Sequence, residues 1–306
     1  VMTAEDQMPD LRDQVPEIPQ ENYLLETVPR GTASVVGIAA AVLNEQDPQS
    51  VMAVLTADHI IGNLKLFQQI LTSAYQVAAK DYLVTLGITP TYPATGYGYI
   101  KKGSGIGRYQ DIDAFQVSEF TEKPDLDQAQ KMLAGGEYAW NSGMFIWKTG
   151  AILEEINSQL PDLYSRLTHI KEAWDTPERE EVLRCDWPEV KPQSIDFGIM
   201  ENARNVAVIP AHDLSWNDVG SWEALYDLLP VDENGNIVEG SEHLSLDTRG
   251  TIIYGAENPR TVVTIGLQDL IIVDTGDVLL VCSRDQAQDV RQAVKLLKES
   301  GNTELI

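Results

Sequence analysis

The sequence predicts an α/β fold that is followed by a small β-rich module and a terminal helix. Strand-like and helix-like apolar patterns alternate through the first part of the 306 residues, which indicates βαβ units and a mainly parallel sheet. After about Leu229 the helical patterns stop, and short apolar runs separated by turn residues replace them. We therefore expect an α/β domain over residues 1–229. Residues 230–306 are expected to form a β-helix-like or sandwich module with one helix.

The composition is that of an ordinary globular protein, with 43% hydrophobic and 23% charged residues. The formal net charge is −25, which excludes a basic nucleic-acid-binding face and disfavours an anionic membrane surface as partner. Two cysteines fit a reducing cytoplasm better than a disulfide scaffold, and four scattered histidines do not predict a histidine-based metal cluster. No apolar run has the length of a membrane span, so we expect a cytoplasmic protein.

The elements of the α/β domain follow from their local patterns. Residues 1–6 are typical of a strand end that leads into a helix. Residues 24–33 are typical of a second strand that leads into a second helix. Residues 51–55 form an uninterrupted apolar run, which predicts a strand buried on both faces. The next predicted elements are a helix over 64–80, a strand over 82–88, a hairpin tip at 103–108, a helix over 125–133 capped by Asp125, a strand over 143–147 and a helix over 151–167.

The C-terminal module is predicted from short β-rich runs between turns. Residues 232–236 form a turn cluster, and the predicted strands are 251–254, 261–265, 270–274 and 278–282. Residues 289–300 then have apolar side chains at helical spacing, and Gly301 is placed to end that helix.

Two aspartates stand next to predicted strands. Asp58 follows the strand at 51–55, and Asp218 lies two residues before Gly220. In open α/β sheets the ligand crevice lies beyond the carboxyl ends of the strands, so two carboxylates that meet there would suit a divalent cation such as Mg²⁺. Each aspartate also has a structural interpretation: Asp58 could cap the next helix, and Asp218 could be a turn residue.

Three further segments contain candidate ligand contacts. Gly96 and Gly98 lack a Cβ and would let a ligand lie against the backbone, although a β-bulge or a hairpin entry explains them equally. Glu122 and Lys123 place a carboxylate beside an ammonium, which suits a sugar hydroxyl and a phosphate, or else a solvated turn. Asn141 precedes a predicted strand and could bind a sugar hydroxyl, or else be a turn residue.

Glu26 lies in a segment, residues 24–33, that suggests a base pocket. Guanine presents two adjacent hydrogen-bond donors, and a carboxylate supplies two matching acceptors. Pro29 and Gly31 would shape such a pocket, and Gly31 would allow close approach of the backbone. Arg30 is either a phosphate contact or a surface residue.

Together these segments resemble the sugar nucleotidylyltransferase superfamily and, within it, the mannose-1-phosphate guanylyltransferase family. The resemblance covers essentially the whole chain. It depends on six motifs, at residues 57–59, 95–100, 120–124, 140–145, 194–201 and 216–222. It implies a Rossmann-like nucleotidyltransferase sheet with a β-helix-like module. The implied reaction is attack by mannose 1-phosphate on the α-phosphorus of GTP, which gives GDP-mannose and pyrophosphate without a covalent intermediate.

The resemblance also implies a role for each matching residue. Asp58 and Asp218 would bind Mg²⁺ on the nucleotide phosphates and, with Lys123 on the sugar phosphate, form the catalytic set. The implied mannose contacts are Gly98, Glu122 and Asn141. The implied guanine-nucleotide contacts are Glu26, Pro29, Gly31 and Thr32. A homodimer is expected, with the β-rich module and the last helix as candidate surfaces.

The sequence departs from the family pattern at three places. Residues 56–58 have Thr-Ala-Asp where the family has Pro-Ala-Asp, and residues 29–33 have Pro-Arg-Gly-Thr-Ala where it has Gly-Arg-Asn-Thr-Ala. The glycine-rich Gly-x-Gly-Thr-Arg loop, whose backbone N–H groups bind the triphosphate, has no match. We therefore expect the natural protein to be longer at its N-terminus, and this chain to be weakly active or inactive.

Two alternatives stay open on the sequence alone. The first is a non-catalytic regulatory paralogue that binds GDP-mannose, which the missing loop would fit. The second is a related sugar nucleotidylyltransferase that uses another base or another sugar.

Overall fold

The computed structural model describes residues 1–220, 222–255, 260–302 and 305. The chain forms two compact units. The first unit comprises Val1–Thr56 and Asn63–Leu214, and the second comprises Ala57–Gly62 and Ser215–Ile306. The division between the units therefore differs from the one expected at residue 229. The short segment before Asn63 joins the second unit because its strand pairs with a strand that follows Leu214.

The strands, in chain order, are β1 (Met2–Ala4), β2 (Leu24–Glu26), β3 (Val51–Val54), β4 (His59–Ile61), β5 (Leu83–Ile88), β6 (Tyr99–Tyr109), β7 (Ile112–Thr121), β8 (Tyr138–Lys148), β9 (Val206–Pro210), β10 (Trp216–Asp218), β11 (Ile237–Glu239), β12 (His243–Leu246), β13 (Ile252–Gly255), β14 (Val262–Ile265), β15 (Leu270–Asp274) and β16 (Leu279–Ser283).

The α-helices are α1 (Met8–Gln14), α2 (Thr32–Gln46), α3 (Leu64–Ala78), α4 (Leu126–Gly135), α5 (Thr149–Gln159), α6 (Pro161–Glu172), α7 (Arg179–Asp186) and α8 (Val290–Glu299). A π-helical turn covers Asp196–Met200. Among the described residues, no helix has both the length and the apolar character needed to cross a bilayer.

The first unit is built on a six-stranded sheet in the order β3-β8-β5-β9-β7-β6, with an additional pairing of β8 and β6. Of the pairings described in this sheet, only that of β5 with β9 is parallel. The α/β class is confirmed, but the expectation of a mainly parallel sheet is wrong. The reason is that β8 lies antiparallel between β3 and β5, while β6 and β7 form an antiparallel hairpin.

The strand β3 lies at an edge of this sheet and not in its interior. Its partner is β8. Ala53 in the strand and Leu55 just after the strand are both exposed. The prediction that this strand is buried on both faces is therefore wrong. An apolar run alone does not distinguish a central strand from an edge strand.

The main core packs helices α2, α5 and α6 against the sheet. Trp147 and Phe145 on β8 stack with ring centroids 5.2 Å apart, and both are almost fully buried. Ile152 and Ile156 on α5 are completely buried in the same cluster. Burying each such side chain contributes about 1.5–3 kcal/mol, so β8 is anchored in the hydrophobic core of the unit.

Two local expectations for the first unit are corrected. The single helix predicted over 151–167 is two helices, because α5 ends before Leu160 and α6 begins at Pro161. A proline disfavours helical geometry in the residue before it, and Leu160 has φ −129° and ψ 60°. The hairpin tip predicted at 103–108 lies inside β6; the chain turns instead at Gln110 and Asp111, both with positive φ.

The second unit confirms the β-helix-like prediction. Strands β11, β13 and β15 pair in parallel on one face, β12 and β14 pair in parallel on another, and β16 closes the first sheet antiparallel to β15. The buried Asn236 links successive coils, since it donates to the Thr248 carbonyl at 3.0 Å and accepts from the Thr251 N–H at 3.0 Å. Helix α8 follows as predicted, and the Gly301 N–H donates to the Lys298 carbonyl just after it.

Candidate active site

Strand pairing within the second unit brings the two predicted metal ligands together. β4 and β10 are antiparallel, with Asp218 opposite His59, and the Val219 N–H donates to the Asp58 carbonyl at 3.0 Å. One ligand atom each of Asp58, His59 and Asp218 lies within 4.8 Å of the others. The predicted convergence of the two aspartates is thus present, with a histidine added.

Asp58 does not cap the helix that follows it. It lies exposed in a turn before β4, whereas the N-cap of α3 is Asn63, whose side chain accepts from the Leu66 N–H at 3.2 Å. Asp218 does have a turn contact, because its Oδ1 accepts from the Gly220 N–H at 3.0 Å. That bond engages one of the two carboxylate oxygens.

His59 supports this cluster more readily than it would bind a metal. Its Nδ1 accepts from the Trp216 indole N–H at 3.2 Å, so a neutral ring has its proton on Nε2. Burial lowers the pKa of His59, although the carboxylates of Asp218 and Asp58 oppose that shift. Two carboxylates without a histidine ligand form a hard oxygen donor set, which is the kind that Mg²⁺ prefers.

The three residues predicted to position mannose lie together in the first unit. The Asn141 N–H donates to the Gly98 carbonyl at 2.8 Å. A Cβ on Gly98 would lie 3.3 Å from the Asn141 Cβ and would collide with Glu122 Oε2. A side chain at position 98 would therefore force the end of the Glu122 side chain to move. Gly96 has no such constraint, since no described heavy atom lies within 4 Å of the position its Cβ would take.

Glu122 is a buried carboxylate that is only half satisfied. Its side chain is 7% exposed, and its Oε1 forms an ion pair with Lys123 Nζ at 3.0 Å. Its Oε2 is buried and has no hydrogen-bond partner among the described residues. Burial, followed by the nearby Asp196 carboxylate, raises the pKa of Glu122. A buried acceptor without a partner is costly unless a ligand donates to it, so Oε2 is a candidate contact for a hydroxyl.

Lys123 follows directly in an uncommon backbone conformation. Its φ is 47°, and its ammonium lies 5.9 Å from the centre of the Phe197 ring. Lysine rarely adopts positive φ, and such positions concentrate where a side chain has to be directed into a site. The Lys123 side chain is 56% exposed, and its ammonium can neutralise an incoming anion.

Asn141 lies inside β8 and not before a strand as predicted. It is buried opposite Gly87 of β5. Its Nδ2 donates to Asp196 Oδ1 at 2.8 Å, and its Oδ1 accepts from the Thr85 hydroxyl at 2.8 Å. The simple turn interpretation of Asn141 is therefore wrong.

The sequence did not assign roles to three residues of this network: Thr85, Asp196 and Glu201. Glu201 Oε1 accepts from the Glu122 N–H at 3.1 Å. Asp196 and Glu201 lie at the two ends of the π-helical turn, joined by a bond from the Glu201 N–H to the Asp196 carbonyl at 3.1 Å. Burial raises the pKa of Asp196. The only sequence signal was the motif at 194–201, which contains both carboxylates.

The predicted guanine segment forms a loop between β2 and α2. Glu26 Oε2 accepts from the Arg30 N–H at 3.2 Å, and burial raises the pKa of the Glu26 carboxyl. Gly31 is the N-cap residue before α2, with φ 80° and ψ 163°, and it lies against the backbone of Gln193. Pro29 is exposed in the same loop.

Thr32 fixes this loop to the segment that leads to Asp196. Its Oγ1 accepts from the Ile195 N–H at 2.8 Å, and the Ala33 N–H donates to the Gln193 carbonyl at 3.1 Å. The structure therefore gives Gly31 and Thr32 packing roles, and Glu26 is the residue of this segment with a carboxylate available to a base.

Comparison with known proteins assigns this architecture to a family. Residues 2–235 match the family model described as nucleotidyl transferase. The chain belongs to the nucleotidyl transferase family. Residues 241–297 match a second model, the MannoseP isomerase/GMP-like beta-helix domain. This nucleotidyl transferase therefore combines an α/β core with a β-helix module, as its strand pairing shows.

Several known proteins are similar to this nucleotidyl transferase. A mannose-1-phosphate guanylyltransferase of Escherichia coli K12 is 36% identical over 292 residues, which are 93% of this chain and 59% of that protein. The xanthan biosynthesis protein XanB of Xanthomonas campestris pv. campestris B100 is 38% identical over 285 residues, covering 92% of this chain and 58% of that protein. The chain thus spans less than two thirds of the length of these curated relatives.

A solved structure has the same fold over nearly the whole chain. It is described as a mannose-1-phosphate geranyltransferase from Thermus thermophilus, with 30% sequence identity and a TM-score of 0.82. The alignment covers 97% of this chain and 83% of that one. The likeness therefore extends through both units.

Proposed function

We propose that the chain transfers a nucleotidyl group from GTP to α-D-mannose 1-phosphate, which yields GDP-mannose and pyrophosphate. The observation that carries this proposal is the network around Glu122, Lys123 and Asn141, which offers a buried acceptor, a cation and an amide within one small region. The similarity to the mannose-1-phosphate guanylyltransferase of E. coli supports both the sugar and the base.

The network matches the chemistry of a sugar phosphate. Glu122 Oε2 lacks a donor among the described residues and would accept the proton of a sugar hydroxyl. The Asn141 amide has a second N–H that would donate to a neighbouring hydroxyl oxygen. Lys123 would neutralise the phosphate, which the net charge of −25 otherwise repels. Gly98 leaves space for the Glu122 carboxylate.

The second unit would supply the metal site. Asp58 and Asp218 form a hard oxygen donor set that fits Mg²⁺, and His59 would hold the neighbouring Trp216 in position. A bound Mg²⁺ would neutralise the charge of the nucleotide phosphates. Glu26, whose pKa is raised by burial, would accept from the two adjacent donors of guanine, while Pro29, Gly31 and Thr32 hold the loop.

The reaction needs no covalent enzyme intermediate. An oxygen of the mannose phosphate forms a bond to the α-phosphorus of GTP, the bond from that phosphorus to the bridging oxygen breaks, and pyrophosphate leaves with the electron pair. The residues of this chain act by positioning and by charge neutralisation, and positioning alone can lower a barrier by roughly 7–11 kcal/mol. A cytoplasmic homodimer is part of the same proposal, and Cys185 and Cys282 would remain free thiols in that reducing compartment.

The test is a substrate matrix with Mg²⁺. GTP, ATP and UTP are each paired with mannose 1-phosphate and with glucose 1-phosphate, and the released pyrophosphate and the nucleotide sugar are quantified. Because the sequence contains no Gly-x-Gly-Thr-Arg loop, a chimera that carries this loop is assayed in parallel.

We expect GDP-mannose to form, and we expect the chimera to form it faster than the chain without the loop. A preference for another base or sugar would select a related nucleotidylyltransferase instead. If neither protein releases pyrophosphate while GDP-mannose still binds, the regulatory alternative replaces the catalytic one.

A further inference from the structure

We infer that Thr85 and Asp196 are positioning residues, which fix the amide of Asn141 so that one N–H remains for a hydroxyl of the sugar. This inference rests on the proposed function, because the amide is useful only if a sugar phosphate binds there. Neither residue was assigned a role by its sequence pattern, since Thr85 lies in an apolar strand and Asp196 in an irregular turn.

The orientation of the amide is set by three independent contacts. Asp196 Oδ1 lies 2.8 Å from Asn141 Nδ2, and an ionised carboxylate can only accept, so the amide nitrogen has to face it. The Thr85 hydroxyl reaches Asn141 Oδ1 at 2.8 Å, and the Gly143 N–H donates to the same oxygen at 3.3 Å. A flipped amide would place its oxygen against the Asp196 carboxylate and its NH₂ against the Gly143 N–H.

Burial separates the role of Thr85 from that of a ligand contact. Thr85 is completely buried, whereas Asn141 is 7% exposed. A ligand therefore meets the amide and not the hydroxyl, and Thr85 acts through Asn141. In such a buried setting each hydrogen bond is stronger than in water, and an unmatched partner is correspondingly costly.

The backbone around Thr85 is also adapted to this contact. The register between β5 and β8 shifts between Thr85 and Gly87, so that Thr85 pairs with Phe145 and Gly87 pairs with Asn141. Such irregularities often redirect a side chain next to a functional site. Asp196 also lies at an irregular position, because the π-helical turn begins at this residue, and such turns are frequent at functional sites.

The experiment is a calorimetric titration with mannose 1-phosphate of the wild-type chain and of three variants. Thr85→Val removes the hydroxyl at nearly constant shape, and Thr85→Ser keeps the hydroxyl. Asp196→Asn replaces a carboxylate that can only accept with an amide that can present either its oxygen or its NH₂ to Asn141, so the orientation of the Asn141 amide is no longer fixed. We expect Thr85→Val and Asp196→Asn to weaken binding by roughly 3- to 10-fold, the value of one hydrogen bond. Thr85→Ser should restore binding relative to Thr85→Val.

A matched control tests whether any buried threonine would give the same result. Thr149 is also completely buried, and its hydroxyl donates to Asn44 Oδ1 at 3.1 Å, away from the Asn141 network. Thr149→Val should lower the melting temperature as Thr85→Val does, but it should leave the affinity for mannose 1-phosphate unchanged.

A pair exchange separates positioning from structural support. The double variant Asn141→Asp/Asp196→Asn can rebuild a hydrogen bond between the two residues, so the melting temperature should recover relative to Asp196→Asn. The affinity for mannose 1-phosphate should not recover, because position 141 no longer has an N–H to donate.

Two results would overturn the inference while the proposed function stands. One is equal affinity of Thr85→Val and the wild type, and the other is recovered affinity in the pair exchange. If the wild-type chain does not bind mannose 1-phosphate at all, the sugar-phosphate site itself is wrong, and the positioning roles fall with it.

Discussion

Replacing Gly31 with alanine should destabilise the first unit severely. Gly31 has φ 80° and ψ 163°, a combination that is nearly restricted to glycine. A Cβ at this position would lie 2.8 Å from the Gln193 carbonyl carbon and 2.9 Å from its nitrogen, which are distances that real Cβ atoms do not adopt. Because the obstacle is backbone, it cannot rotate away.

The magnitude follows from the strain and from the bonds that would have to move. Forcing alanine into this backbone region costs about 1–3 kcal/mol. Moving the Gln193 backbone weakens two hydrogen bonds. In one, the Gln193 N–H donates to the Arg30 carbonyl at 3.2 Å, and in the other the Ala33 N–H donates to the Gln193 carbonyl at 3.1 Å. Each such bond contributes about 0.5–1.5 kcal/mol, so the total loss is about 2–6 kcal/mol, a large share of the stability of a typical domain.

The assay is urea unfolding followed by tryptophan fluorescence, with Gly96→Ala as the matched control. No described heavy atom lies within 4 Å of the position that a Cβ on Gly96 would take, so that variant should unfold within about 1 kcal/mol of the wild type. If Gly31→Ala and Gly96→Ala have the same free energy of unfolding, the contact between the Gly31 loop and Gln193 is wrong. In that case the glycine would be explained by approach of a base and not by packing.

Three further predictions concern the two candidate sites. Asp218→Asn should weaken the binding of Mn²⁺, used as a probe for Mg²⁺ in calorimetry, by roughly tenfold or more, since one of two charged ligands becomes neutral; unchanged affinity would exclude this residue as a ligand. Asn63→Ala should cost about 1 kcal/mol of stability without metal, while Asp58→Ala should cost almost none; the reverse order would make Asp58 the helix cap. Glu122→Gln should become more stable relative to the wild type as the pH rises above about 4.3, the pKa of a glutamate in the unfolded chain. Burial raises the pKa of Glu122, so ionising this carboxyl costs more in the folded protein than in the unfolded one. The free energy of unfolding of both proteins is measured with urea between pH 4 and pH 8, at intervals of roughly two pH units. If the difference between the two proteins stays constant over this range, the predicted direction is wrong.

The features that the sequence predicted well are those with a local physical cause. Helix α4 begins where Asp125 caps it, since its side chain accepts from the Gln128 N–H at 2.8 Å. The meeting of Asp58 and Asp218 was expected because both follow or end short strands, and the pairing of β4 with β10 brings them together.

The features that were missed depend on which strands become neighbours. Apolar periodicity indicates that β3, β5 and β8 are strands, but it does not indicate that β8 lies between the other two. Thr85 therefore looks like an ordinary β-branched core residue until Asn141 on β8 is placed beside it. Asp196 lies in a π-helical turn, whose period matches neither a strand nor an α-helix.

The break between α5 and α6 is a different kind of miss. The dipeptide Leu160-Pro161 contained the signal, because a residue before proline avoids the helical region. The apolar period continues through the break and hides it.

The most direct test of the account is the equilibrium affinity of the chain for GDP-mannose in Mg²⁺, compared with that for UDP-glucose. GDP-mannose contains the base assigned to Glu26 and the sugar assigned to Glu122 and Asn141, so calorimetry on this one ligand examines both assignments. We expect GDP-mannose to bind at least roughly tenfold more tightly than UDP-glucose, which is equivalent to about 1.4 kcal/mol. Equal affinity for the two nucleotide sugars, or no binding of GDP-mannose, would contradict it.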